Sequence, residues 1–370
     1  MFPLDLVFCR ECALVQITES VAPEELFREY VYFSSYSDTM LHHAADLATR
    51  LIRERKLGGE SLVLEAASND GYLLKNYKMA GIPVLGIEPA SNVARVAVKE
   101  HGVATREEFF DASFAAQLAA EGRRADVFHA HNVLAHVPDL NGFVAGIRTI
   151  LKLNGVAVVE VPYVKDMIDR CEFDTIYHEH LSYFSLTALD RCFRRHGLVI
   201  SNVERVPIHG GSLRLFAIPV ECVNGVPPRV SALLAEEMAW GVDSEQPYLA
   251  FAEKVNHIRA SLRLLLGNLK AAGLKLAAYG ASAKGSTLLN FCGIGPETLD
   301  FVVDRSTAKQ GKFTPGTHLR IYSPDKLLES QPDFTLLLTW NFAEEILRQQ
   351  EEYRRRGGRF IFPVPLPRVA

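Results

Sequence analysis

The run Tyr177-His178-Glu179-His180 places four side chains that can hold or move protons in consecutive positions. Histidine is the commonest general acid–base residue, and a neighbouring Glu can orient it or relay its proton. Three readings are open from the run alone: a proton-transfer site, a metal site, or polar surface. For a metal, His178 and His180 would share one face of a strand. The H-E-H spacing, however, lacks the helical turn between ligands of H-E-x-x-H, and no third ligand stands out.

A second group of residues points to a nucleoside-like ligand. In "VLEAASNDGYLL" Glu65 ends a strand, followed by a turn of small residues and Gly71, and one β-α unit later "GIEP" puts Glu88 at the next strand end. In a doubly wound sheet, ligands lie beyond the carboxyl ends of the strands, where an acid bonds ribose hydroxyls. The turn is not G-x-G-x-x-G, so it lacks the glycines that admit a pyrophosphate. A cofactor with an adenosyl group and no phosphates fits, and S-adenosylmethionine is such a cofactor. The expected cofactor-binding residues are Glu65, Ala67, Ser68, Asn69, Gly71 and Tyr72, with Glu88, Pro89 and Asn132.

Three further motifs carry chemistry. "YGASAKGSTLLNF" joins a strand to a helix, where backbone N–H groups attract anions and Lys284 adds charge; together with Ser282 it could hold a diphosphate. "IHGGSLR", from His209 to Arg214, reads as a substrate-side loop with an arginine able to pair an anion. "CREC" holds Cys9 and Cys12 as half of a four-thiolate zinc site, the other four cysteines being scattered.

Elements must position these groups. At 370 residues, two or three domains are the prior. Hydrophobic content of 48%, charged content of 23% and a net charge of −4 describe an ordinary globular protein without the basic face of a nucleic-acid binder. No apolar run is long enough for a membrane span, and the N-terminus lacks the basic segment of a signal peptide. The reading is a cytoplasmic monomer. Residues 1–55 form a hairpin, an aromatic turn "REYVYFSSYS" and a helix from Ser37 to Lys56. Residues 56–246 alternate continuous apolar strands with helices, as in a parallel doubly wound sheet. Residues 247–370 begin with a long helix, apolar at Tyr248, Phe251, Val255, Ile258, Leu262, Leu265 and Leu269, and continue as a smaller Rossmann-like domain.

These motifs, in this order, resemble the bacterial S-adenosylmethionine-dependent C-methyltransferases of nucleotide deoxysugars. The resemblance runs through "FCRECALVQ", "YVYFSSYS", "EAASNDGYLL", "HNVLAHVPDL", "FDTIYHEHLSYFS", "IHGGSLR", "YGASAKGSTLLNF", "VVDRSTAKQGKFTPGTHLRIY" and "TWNFAEEI". It implies an α/β fold: a class I methyltransferase-like sheet, a C-terminal Rossmann-like domain contacting the nucleotide sugar, and a short remnant of a zinc-binding element. It implies methylation at C3 of a dTDP-linked 4-keto-deoxyhexose on the way to antibiotic sugars. Methylating carbon needs an enolate, hence a base, a stabilised oxygen and two substrates held face to face. On this resemblance His180 is the base, Glu179 its partner, and Tyr177 a wall of the sugar pocket. His136 stands on the cofactor side near the reacting ketone, where it could polarise it, and Tyr32, with Tyr36 as alternative, caps the site. His178, His209, Arg214, Ser282 and Lys284 contact substrate. The zinc of the family is structural, and this sequence carries one of its two cysteine pairs. The rival functions are O- or N-methylation of a similar sugar, which needs no enolate, and an idle nucleotide-sugar binder.

Overall fold

The computed structural model describes residues 3–370 apart from 29, 31, 32, 209, 224 and 226, so Tyr32 and His209 lie outside the described residues. The chain forms two compact units. One comprises Asp5–Tyr163 and His178–Asp243; the other is built on Val164–Tyr177 and Ser244–Ala370.

The first unit is organised by a seven-stranded sheet. Its strands are β1 (Val63–Ala66), β2 (Val84–Ile87), β3 (Thr105–Arg106), β4 (Ala125–His131), β5 (Leu151–Pro162), β6 (Leu198–Val206) and β7 (Ser212–Pro219). Their order is β3-β2-β1-β4-β5-β7-β6. All pairings are parallel except those of β7, which runs antiparallel to both β5 and β6. The expected all-parallel sheet is corrected here: the link from Val206 to Ser212 is too short for a helical crossover, so the chain must return antiparallel. Chain order reverses between β1 and β4, which opens the ligand crevice of a doubly wound sheet at their carboxyl ends.

Alternate residues on these strands feed two apolar layers. Leu64, Phe128 and Val159 face one, with Phe143, Ile147 and Phe193. Val63, Val127 and Val158 face the other, under the helix Asp38–Arg55. That helix is capped by the Ser37 hydroxyl accepting from the Met40 N–H, and it ends at Lys56 in the left-handed conformation. It buries Met40, Ala44, Leu47, Ala48 and Leu51 at the spacing of one helical face. The N-terminal hairpin (Leu6–Phe8 with Val15–Ile17) takes Ser182–Tyr183 as a third, antiparallel strand.

The second unit has six strands: β8 (Leu276–Tyr279), β9 (Val302–Val303), β10 (Ile321–Tyr322), β11 (Phe334–Leu337), β12 (Arg359–Phe362) and β13 (Arg368–Val369). Their order is β10-β9-β8-β11-β12-β13, parallel except at β13. The long helix runs Gln246–Ala271 and buries Phe251, Val255, Ile258, Leu262 and Leu266. The expected stripe is corrected at its end, where Leu266 replaces Leu265 because the buried face advances by four residues from Leu262. Among the described residues no helix is long and apolar enough to cross a membrane.

Candidate active site

The turn after β1 departs from ordinary backbone. Ala67, Asn69 and Gly71 have φ of 51°, 50° and 79°, and Asn132, just past β4, has 54°. Left-handed conformations at non-glycine residues cost of order 1–3 kcal/mol and gather at ligand clamps. Gly71 has a packing reason: a Cβ there would lie 3.1 Å from Val103. The Glu88 carboxylate accepts from the Asn69 N–H and the Ala90 N–H, both at 2.9 Å. It thereby holds the turn to the end of β2, and burial pushes it up to about 7.

Glu65, at the end of β1, is 1% exposed. Burial, then the neighbouring Glu88, Asp70 and Glu160, push its carboxyl well above the usual range. Asp70 accepts from the Ser35 N–H through one oxygen. Four buried atoms at this corner have no hydrogen-bond partner among the described residues: Glu65 Oε2, Ser68 Oγ, Asp70 Oδ1 and Asn132 Oδ1. Tyr72 and Pro89 are also buried here. Unanswered acceptors and three crowded carboxyls in a low-dielectric corner suit a guest that is cationic and rich in donors. S-adenosylmethionine, with its sulfonium, α-ammonium and ribose hydroxyls, has that chemistry, so the residues present fit it.

A second cluster gathers on the other side of Asn132. His136 ends the turn Leu134–His136, and its Nδ1–H donates to the Glu179 carbonyl at 2.6 Å. Burial pushes His136 down to about 4, against the pull of the Glu179 and Asn132 carbonyls, so the ring is neutral. The His180 ring stands edge-on to it, with centroids 4.9 Å apart, and 6.4 Å from Tyr183 on its other side. The run that carries His180 is stitched at Leu181: its N–H donates to Ala135 O at 2.7 Å, and its carbonyl accepts from Ile17 N–H at 3.0 Å. Burial raises Glu179 above the ordinary carboxylate range. The structure thus brings His136, Glu179 and His180 together from separate parts of the sequence.

Other expected residues fall differently. Arg214 is corrected from loop to strand: it lies within β7, 7% exposed, and the anions it meets are the protein's own. Its Nε donates to Glu160 at 2.6 Å, and its Nη1 reaches Glu204 at 3.3 Å. Tyr36 is 83% exposed and stacked on Phe33. In the second unit, the Ser282 hydroxyl accepts from the Gly285 N–H as a helix cap, and Lys284 Nζ sits 4.6 Å from the Trp340 ring centroid. A Cβ on Gly280 would strike the Thr339 side chain at 2.5 Å, so this turn needs glycine to pack against the end of β11. Asp304, just after β9, accepts from the Ala281 N–H at 2.7 Å, as Glu88 does from Asn69 in the other unit. Tyr177 and His178 are half-buried.

Cys9 and Cys12 are free thiols. The Cys12 backbone N–H, then the Cys12 thiol, pull Cys9 below its ordinary value, whereas burial pushes Cys12 up. Among the described residues no group of three or more His, Cys, Asp or Glu is placed to hold a metal. Two thiols fall short of the four donors of a structural zinc, so the expected zinc has no support in these residues.

The sequence reading missed a buried polar chain beside the cofactor corner. Tyr77 O–H reaches His129 Nε2 at 2.9 Å, and His129 Nδ1 reaches His131 Nε2 at 2.9 Å. His131 Nδ1 lies 3.3 Å from Glu160, which also takes His43 Nε2 at 2.9 Å. One set of tautomers satisfies the run from Tyr77 to Glu160, with His129 and His131 each donating toward the carboxylate, while His43 Nε2 lies between Glu160 and Arg214 Nη2, the latter at 2.9 Å. Burial, then His131, holds His129 well below its usual value, consistent with neutral rings. The signal was present as a lone acid in the apolar strand "VAVVEVP" and an H-x-H alternation in "FHAH".

With the geometry in place, the comparisons with known proteins bear on identity. Residues 38–203 match the methyltransferase domain family model, and residues 207–365 match the model of the C-methyltransferase C-terminal domain. The chain is 38% identical over 369 residues to the C-methyltransferase NovU of Streptomyces niveus, covering all of this chain and 88% of that protein. The chain belongs to the C-methyltransferase family. Among solved structures it is similar to the PH0226 protein of Pyrococcus horikoshii OT3 (TM-score 0.40, 15% identity, 54% of this chain and 96% of that one). It is also similar to the magnesium protoporphyrin IX methyltransferase ChlM of Synechocystis PCC 6803 (TM-score 0.38, 15% identity, 51% and 85%). This C-methyltransferase is an enzyme by its relative and by its two family models, and residues 38–203 form its methyltransferase domain.

Proposed function

We propose that this C-methyltransferase acts at C3 of a dTDP-linked 4-keto-deoxysugar through an enolate. Residues 56–246 would hold S-adenosylmethionine at Glu65, Ser68, Asn69, Asp70, Glu88 and Asn132, and residues 247–370 would take the nucleotide at Ser282 and Lys284. When bound, S-adenosylmethionine supplies an electrophilic methyl group.

The protein's own residues handle the proton and the oxygen. His180 removes the C3 proton, made acidic by the adjacent C4 ketone, and Glu179 orients the ring or relays the proton onward. His136, fixed by the Glu179 carbonyl, sets the position of His180 across a 4.9 Å ring contact. Tyr177 walls the sugar. The observation that carries this reading is the convergence of His136, Glu179 and His180 beside Asn132, in a chain of the C-methyltransferase family.

The test is incubation with S-adenosylmethionine and a dTDP-4-keto-deoxyhexose in D2O, followed by mass spectrometry and NMR. The expected product carries its new methyl on carbon, and the substrate C3–H exchanges unless His180 is replaced by Ala. Methyl on oxygen or nitrogen, or transfer indifferent to His180→Ala, would overturn the proposal.

A further inference from the structure

We propose that Glu160 is a positioning residue: from a strand whose own end forms neither turn of the cofactor crevice, it fixes both, the turn after β1 through Tyr77 and the turn after β4 through Asn132. The inference rests on the assignment of that crevice to S-adenosylmethionine.

Glu160 lies near the end of β5 and is fully buried. Its backbone carbonyl accepts from the Asn132 N–H at 2.8 Å. Its carboxylate lies 3.3 Å from Nδ1 of His131, the residue in register with it on β4. Both bonds act at Asn132 or its neighbour, where the backbone is left-handed and the buried side-chain oxygen has no partner among the described residues. The second arm runs back across the sheet, from His131 to His129 and from His129 to the Tyr77 hydroxyl, both at 2.9 Å. Tyr77 is fully buried in the helix Leu74–Met79. That helix is tied to the cofactor turn: the Lys75 N–H donates to the Gly71 carbonyl at 3.0 Å, and the Asn76 side-chain amide donates to the Tyr72 carbonyl at 3.1 Å. One residue thus reaches the turn that carries Glu65, Ser68 and Asp70, and also the turn that carries Asn132.

A carboxylate can only accept, so it gives the chain of bonds a direction. His131 donates to it from Nδ1, His129 Nδ1 donates to His131 Nε2, and the Tyr77 hydroxyl donates to His129 Nε2. In the reverse direction the Tyr77 proton would be turned away from His129. Tyr77 belongs to the apolar layer of Val63, Val127 and Val158, where an unanswered donor is costly. An amide at position 160 presents either an oxygen or an N–H, so both directions open and the start of the helix is no longer fixed. Arg214 Nε donates to the carboxylate at 2.6 Å. Against burial, which would raise it, His131 and then His43 and Arg214 hold this carboxyl well below its ordinary range. For stability alone an apolar pair of similar volume would serve as well. What the charge adds is the direction of the chain.

Glu160→Gln combined with Arg214→Met removes the acceptor-only end without stranding a buried charge. Tyr77→Phe cuts the far end and touches no charge. In the full chain, calorimetric titration with S-adenosylmethionine should show each of these proteins binding about tenfold more weakly, a coupling ordinary within one hydrogen-bond network. All the substitutions together should cost little more than either cut, since both act through one chain. Nitrogen NMR of the imidazole rings should find His129 and His131 protonated at Nδ1 in the wild type, and mixed tautomers once Glu160 is replaced by Gln and Arg214 by Met. Wild-type affinity in either protein, losses that multiply, or wild-type rings protonated at Nε2 would overturn the proposal. If the folded wild type binds no S-adenosylmethionine, the cofactor assignment falls. Amide exchange with D2O over 67–75 and 132–136 then decides the positioning by itself: it should quicken in both proteins, and unchanged exchange refutes it.

Discussion

Glu88 is buried at the end of β2 with both oxygens already accepting backbone N–H groups, and burial still dominates, lifting its carboxyl from an ordinary value near 4.5 to about 7. A carboxylate raised by folding binds more protons in the native state than in the unfolded one. Its effect on stability is therefore unfavourable as pH rises: nothing is lost below about 4.5, and the loss is complete above about 7. The shift corresponds to about 3 kcal/mol. Glu88→Gln pays a cost of its own by misplacing an amide against two N–H donors, but that cost is independent of pH. Urea unfolding of both proteins at pH 4.5 and pH 8 should show the wild type losing more stability across the range, by about 3 kcal/mol; parallel losses would refute the assignment. The role of Glu88 as the acid of a second strand end was legible from "GIEP". Its bond to the Asn69 N–H was not, because it depends on the left-handed backbone at Ala67 and Asn69, which no residue type announces.

At the scale of elements, β7 and the helix Asp38–Arg55 are joined through polar groups, of which Arg214 was assigned to substrate in the sequence. Arg214 bridges Glu160 and Glu204, Arg50 meets Glu204 at 2.8 Å, and His43 meets Glu160 at 2.9 Å. The helix was readable in the sequence as Ser37 to Lys56. The direction of β7 was not, since "SLRLFAIP" is as apolar as a parallel strand and its arginine resembled a substrate group. If Arg214 were a surface anion receptor, Arg214→Ala would leave stability nearly untouched. Here it strands the Glu160 carboxylate in the core, and the expected loss is about 3–5 kcal/mol in urea unfolding. Glu160→Gln combined with Arg214→Met removes both charges and should recover much of that loss. A stable Arg214→Ala variant with a raised substrate KM would restore the binding role and discard the structural one.

Over the whole molecule, the two units differ in what their turns offer a ligand. The first presents buried, unanswered acceptors and crowded carboxyls; the second presents a helix start with Lys284 and its glycines packed against Leu338 and Thr339. The repeated strand-turn-helix rhythm made both sheets legible in the sequence. The passage of Val164–Tyr177 into the C-terminal unit was not legible, because the segment reads as one more helix and loop of the first. Cationic and anionic ligands should therefore leave separate footprints. S-adenosylmethionine alone should slow amide exchange in 65–72, 88–90 and 130–136, and dTDP alone should slow it in 280–287 and around Trp340. At a concentration a hundred times its Kd, a ligand stabilises the unit that binds it by about 2.7 kcal/mol, and the opening of that unit should become rarer by about the same hundredfold factor. Lys284→Met should erase the dTDP footprint and spare that of S-adenosylmethionine, since the cofactor corner is built within the first unit. Identical footprints for the two ligands, or loss of both with Lys284→Met, would show that the division of labour between the units is wrong.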